Sequence, residues 1–127
     1  MKYLLIIQMN PATWDSLSEA ERTAIAGGQE GFMETITASG EMVGTHALAD
    51  PSQSSVVQGR PGAFTVTDGP FLEAKEYMGG FYVVDCENVE RAHELAAMIP
   101  GTDRLPVEVR PVVFTAGYGL GEPDLAG

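Results

Sequence analysis

The chain begins with an apolar run that does not alternate, Lys2–Met9 (KYLLIIQM). A strand of that kind suits the middle of a sheet, covered on both faces. Asn10 and Pro11 end it. From Ser18 to Ser39 the period becomes helical, with Ile25, Phe32, Met33 and Ile36 on one stripe. Ser18 and Glu21 have capping-box spacing, Ser16 and Glu19 offer a competing start, and Gly40 suits the residue just past a helix end. Gly27, Gly28 and Gly31 oppose that helix, since each costs roughly 1 kcal/mol against alanine inside one. Close packing against a sheet is the use that would keep them.

Glu41–Leu48 predicts a second strand interrupted at Gly44, followed by polar loop. Ser55–Gln58 and Ala63–Thr67 predict a short hairpin around Gly59-Arg60-Pro61-Gly62, and Asp68-Gly69-Pro70 a turn. Gly80–Cys86 (GFYVVDC) is rich in aromatic and β-branched residues and predicts a strong strand. Asn88 caps a second helix to Ile99, with Val89, Ala92, Leu95, Ala96 and Ile99 inward and Pro100-Gly101 stopping it. Val107–Val113 is the last strand, with Pro111 favouring an edge or an end. The order β-α-β, hairpin, β-α-β makes an α+β fold: a ferredoxin-like split arrangement, one antiparallel sheet with two helices on one face. The other face must be solvated or paired. Its apolar strands point to a homodimer that stacks two sheets. Residues 1–114 form the domain and 115–127 a glycine-rich tail, loosely held or lying over a partner.

Composition narrows the function. With 127 residues the chain makes one domain. Eighteen acidic against seven basic residues give a net charge of −11, with no cluster of Lys and Arg. That field opposes nucleic acid and anionic membrane surfaces, so neither is expected as a partner. The run Tyr3–Ile7 is too short to span a bilayer or serve as a secretory h-region, and the single Cys86 forms no intrachain disulfide. Both point to the cytoplasm.

The segments Thr67-Asp68-Gly69-Pro70-Phe71, Glu73-Ala74-Lys75-Glu76 and Gly79-Gly80-Phe81-Tyr82 resemble the signature of the DGPF branch of the YCII-related family. Met1–Leu5 and Val107–Val112 resemble the family's ends. The resemblance implies a ferredoxin-like fold of the dimeric α+β barrel type. It also implies an enzymatic role, supposed for the family because acidic and histidine residues gather in a cleft. A regulatory context is implied as well, since some members are encoded near sigma factors of the extracytoplasmic-function type. The His–Asp pair proposed for the YciI branch finds no matching histidine motif here.

Asp68 is the first candidate for chemistry. Enclosed in a dimer cleft, its carboxyl would become a usable acid or base; left exposed, it is an ordinary turn-opening aspartate. Lys75 and Glu76 follow in the same loop, as binding groups or as solvated charges. Tyr82 and the Glu108/Arg110 pair project from strands, and Arg110 can fork onto a carboxylate of a ligand or of Glu108. His46 lies near the end of the second strand, and His93 about 100° from the centre of its helix's apolar stripe. Two separate histidines do not make a metal site. Cys86 lacks a cationic setting and reads as a core residue. No glycine spacing fits a phosphate or dinucleotide loop, so no cofactor is expected. The leading expectation is a cofactor-free site for a small molecule at the dimer cleft, with chemistry of the proton-transfer, lyase or isomerase kind. The alternative is a non-catalytic binding or regulatory module.

Overall fold

A computed structural model describes residues 1–69, 75–117 and 124–125. The chain runs through β1 (Lys2–Met9), α1 (Pro11–Ser16), α2 (Glu19–Ala38) and β2 (Met42–Ala47). The hairpin β3 (Ser55–Arg60) and β4 (Ala63–Asp68) follows, then β5 (Tyr77–Asp85), α3 (Val89–Met98) and β6 (Val107–Pro111). A short pair, β7 (Phe114–Thr115) and β8 (Asp124–Leu125), closes the chain. The main sheet has the order β2-β5-β1-β6 and is antiparallel throughout. Helix α2 carries the chain from β1 to β2 and α3 from β5 to β6, an arrangement consistent with the ferredoxin-like split.

The expected signals sit where the helices begin and end. Ser18 accepts from the Glu21 N–H while Glu21 accepts from the Ser18 N–H, closing the capping box. Gly40 takes φ +80° just past the end of α2. Asn88 caps α3 by accepting from the Arg91 N–H. Helix α1 is an addition to the sequence reading, which has Asn10 and Pro11 only ending a strand. Asn10 is also an N-cap that accepts from the Thr13 N–H, and Pro11 fills the first helical turn, where its missing N–H costs nothing.

The core lies between the sheet and the two long helices. Tyr3 and Leu5 of β1, and Tyr82, Val84 and Cys86 at and beyond β5, meet Phe32 and Ile36 of α2 and Ala92, Leu95, Ala96 and Ile99 around α3. Leu5, Ile36, Leu95 and Val84 are completely enclosed. Burial on that scale stabilises by about 1.5–3 kcal/mol per side chain. The three helix glycines divide. A Cβ on Gly28 would lie 2.7 Å from Cγ of Pro100, whereas Gly27 and Gly31 face open space. One of the three serves close packing, and it packs on the loop after α3 rather than on the sheet.

Two surfaces are less enclosed. On the sheet face away from the helices, Ile6 and Val83 are buried, and Leu4, Phe81 and Val83 share a hollow of about 290 Å³ with Phe114, Thr115 and Ala116. Thr115 is itself buried. Among the described residues the β3–β4 hairpin pairs only with itself, and Val57, Phe64 and Val66 on one of its faces are exposed.

Candidate functional site

A cavity of about 320 Å³ opens between α2 and one end of the sheet. Two of the four stripe residues of α2, Phe32 and Ile36, are buried in the core; the other two, Ile25 and Met33, line this cavity. Ile7 and Met9 from β1, Thr45 to Ala47 from β2, Gly79 to Tyr82 from β5, Trp14 from α1, and Ile99, Pro100 and Leu105 complete most of the wall. None of the described lining residues is a carboxylate, an ammonium or a guanidinium.

The backbone keeps this space open. Ile7 pairs with Gly80 and Gln8 with Met78, so Gly79 is an extra residue bulged out of the β1–β5 ladder. Gly80, two residues before Tyr82 on the same strand, presents no side chain to the wall. A Cβ there would come 2.7 Å from the carbonyl oxygen of His46, so the β2–β5 approach requires glycine. A second irregularity in β2, between Met42 and Gly44, sits where the sequence predicts an interruption.

The wall has one group of interacting polar side chains. Tyr82 donates its phenolic proton to Oε1 of Gln29 at 2.5 Å, and Nε2 of Gln29 donates to the carbonyl of Ile25 at 3.5 Å. Thr45, opposite Tyr82 in the strand pair, donates to the carbonyl of Phe81 at 2.8 Å. Burial pushes the Tyr82 phenol above its usual range, with hydrogen bonding to Thr45 working in the opposite direction. Tyr82 also stands edge-on to Phe32, with centroids 4.9 Å apart. His46 contributes backbone to the wall; its exposed ring tilts against Phe81 at 5.3 Å, on the other face of the sheet by strand alternation. Trp14, the chain's one tryptophan, lines this cavity and also an adjoining hollow with Asp15, Asp50 and Tyr77.

The sequence candidates fall in different places. Tyr82 projects from β5 into the cavity wall and is buried. Asp68 is exposed at the end of β4, where it pairs with Ser55, and the turn expected after it lies in part outside the described residues. Lys75 and Glu76 are exposed just beyond that stretch. Arg110 forms an ion pair with Glu108 on β6. None of these four lines the cavity. Burial raises the Cys86 thiol, and the Glu41 carboxylate adds to that, which keeps it an unreactive core group. Among the described residues no three His, Cys, Asp or Glu side chains gather to hold a metal ion, and no helix is long and apolar enough to cross a membrane.

Gln29 and Trp14 were not legible as site residues. Gln29 is one polar residue in a glycine-rich helix, and Trp14 lies in a helix whose only local signal is its Asn-Pro start. Comparison with known proteins gives two findings. The YCII-related domain family model matches residues 1–115. A stretch of 71 residues is 32% identical to an uncharacterized protein of Rhizobium meliloti (strain 1021), taking in 53% of this chain and 56% of that one. The chain thus spans about half the length of that relative.

Proposed function

The chain belongs to the YCII-related family, and from that premise we propose that it binds a small molecule in the cavity between α2 and the end of the sheet where β5 begins. One observation carries the reading. The wall is apolar apart from a few polar side chains, and a bulge and an obligatory glycine prevent the sheet from filling it. Binding pockets have that composition, and 320 Å³ is at the lower end of their usual size. Tyr82 is the wall side chain able to pass a proton, so cofactor-free proton transfer is the chemistry the site would support. Binding without turnover would make the chain a sensor module.

A second reading is favoured by the hairpin. By strand alternation Asp68 shares a face with Phe64 and Val66, both exposed. A second copy seated there would enclose Asp68. The carboxyl would then act as acid or base, with Lys75 or Arg110 as an anion contact. The homodimer itself belongs to this proposal.

Thermal-shift screening of apolar two-ring compounds, with Trp14 fluorescence as a second signal, tests the cavity reading. A ligand at about 100 times its Kd stabilises the native state by roughly 2.7 kcal/mol. Ile25→Phe, which adds bulk to the wall, should abolish the shift. Shifts that persist in Ile25→Phe would place the ligand elsewhere.

A further inference from the structure

We infer that the cavity's ligand is a neutral molecule of about two fused rings whose one polar group is a hydrogen-bond donor, such as a phenol or alcohol. The inference rests on the cavity reading above and specifies what that cavity selects.

Size comes first. An engineered apolar cavity of about 150 Å³ takes up benzene. This cavity is about twice as large, at about 320 Å³, which fits two rings. Charge comes next. No described lining residue is a carboxylate, an ammonium or a guanidinium to pair with an ionised ligand. Moving an unpaired charge out of water into apolar surroundings is strongly unfavourable. The net charge of −11 adds a repulsive field against anions in particular.

The polarity of the ligand's group follows from which protons are already in use. The Tyr82 hydroxyl proton goes to Gln29 Oε1, and the Thr45 hydroxyl proton goes to the Phe81 carbonyl. The Ile25 carbonyl can only accept, which fixes the Gln29 amide with nitrogen toward the helix and oxygen toward Tyr82. What remains on both hydroxyl oxygens is acceptor capacity. A donor on the ligand can be satisfied there. An ether or ketone set against these two oxygens would oppose lone pair to lone pair, and would have to turn to the second Gln29 N–H or the Trp14 indole N–H for a donor.

Calorimetric titration with 2-naphthol, naphthalene, 2-methoxynaphthalene and 2-naphthoate tests this. The expected order puts 2-naphthol roughly threefold to tenfold tighter than naphthalene, one hydrogen bond's worth. 2-Methoxynaphthalene should bind no better than naphthalene, and 2-naphthoate should not bind measurably. In Thr45→Val, and in the double variant Tyr82→Phe with Gln29→Leu, the advantage of 2-naphthol should shrink while naphthalene binding holds within about twofold. Equal affinities for naphthol and naphthalene, a preference for the methoxy compound, or tight naphthoate binding would overturn the inference and leave the cavity reading standing. No binding by any of the four would overturn both.

Discussion

Tyr82 and Gln29, 53 residues apart in the chain, meet through a 2.5 Å hydrogen bond that ties the second central strand to the middle of the long helix. Tyr82 is 3% exposed, so its hydroxyl has little access to water. The bond therefore fixes the height of α2 above the sheet at the edge of the cavity, as well as supplying the wall's polar group.

Tyr82→Phe should leave Gln29 Oε1 without its donor and destabilise by about 1 kcal/mol, the usual net worth of one hydrogen bond, since Gln29 is only half-buried. Adding Gln29→Leu should recover much of that loss, because the orphaned acceptor is removed as well. Urea unfolding of the four members of this cycle measures the coupling. Additive losses would mean the two side chains act independently.

The glycines of α2 give a contrast within one helix. Gly27→Ala and Gly31→Ala should each stabilise by about 1 kcal/mol, since both positions face open space and alanine is the better helix former. Gly28→Ala should destabilise, because its methyl group would press on the stiff Pro100 ring. Thermal unfolding of the three variants settles the order, and a stabilising Gly28→Ala would show that the α2–Pro100 contact yields.

Much of the fold was legible because its signals are local. The β1 run, the Ser18–Glu21 capping box and the Asn88 cap each lie within one element, and each is found where it was read. Helix α1 was hidden because Asn10-Pro11 carries two meanings, strand end and helix start. The start of β5 was hidden because Gly79-Gly80 is poor strand sequence, kept by a bulge and a tight interstrand approach. The cavity was not legible at all. Its wall is assembled from short pieces of six regions, and only three-dimensional pairing brings Gln29, Thr45 and Tyr82 together.

Acid sensitivity should centre in part on Glu41. Arg91 holds it with two bonds of 2.9 Å, from Nε to Oε2 and from Nη2 to Oε1, and Ser39 donates a third. The Arg91 guanidinium, with help from Ser39, lowers the Glu41 pKa against an opposing effect of burial. A folded pKa below the unfolded one gives stability that is fully present above the unfolded value, near 4.3 for a free glutamate, and lost as pH falls through the folded value. Glu41→Gln should therefore flatten the decline in stability on the acid side of about pH 4–5. The check is denaturant unfolding at several pH values, and an unchanged slope would mean that other carboxylates carry the acid response.

The proposed dimer has a direct readout. Sedimentation at micromolar concentration should give twice the 13.5 kDa chain mass. Phe64→Asp should weaken the dimer if the exposed hairpin face is its seat, by placing a charge among Val57 and Val66. A monomer in the parent chain rejects the assembly. A dimer indifferent to Phe64→Asp moves the interface to the sheet face beyond Leu4 and Phe81.

Asp68→Asn separates the two site readings. Asparagine keeps the size of the side chain and can still accept a backbone N–H, so an exposed turn residue should tolerate it with stability held within about 0.5 kcal/mol. Asp68 does not line the cavity, so 2-naphthol affinity should not change either. If a second copy encloses Asp68 and its carboxyl does acid–base work, the substitution removes that proton-transferring group. Turnover then falls steeply while folding and cavity binding persist. Once a reaction is known, full activity in Asp68→Asn would leave Tyr82 as the proton-carrying group to test. Lost activity with intact naphthol binding would place the chemistry at the hairpin, and the cavity would then bind without catalysing.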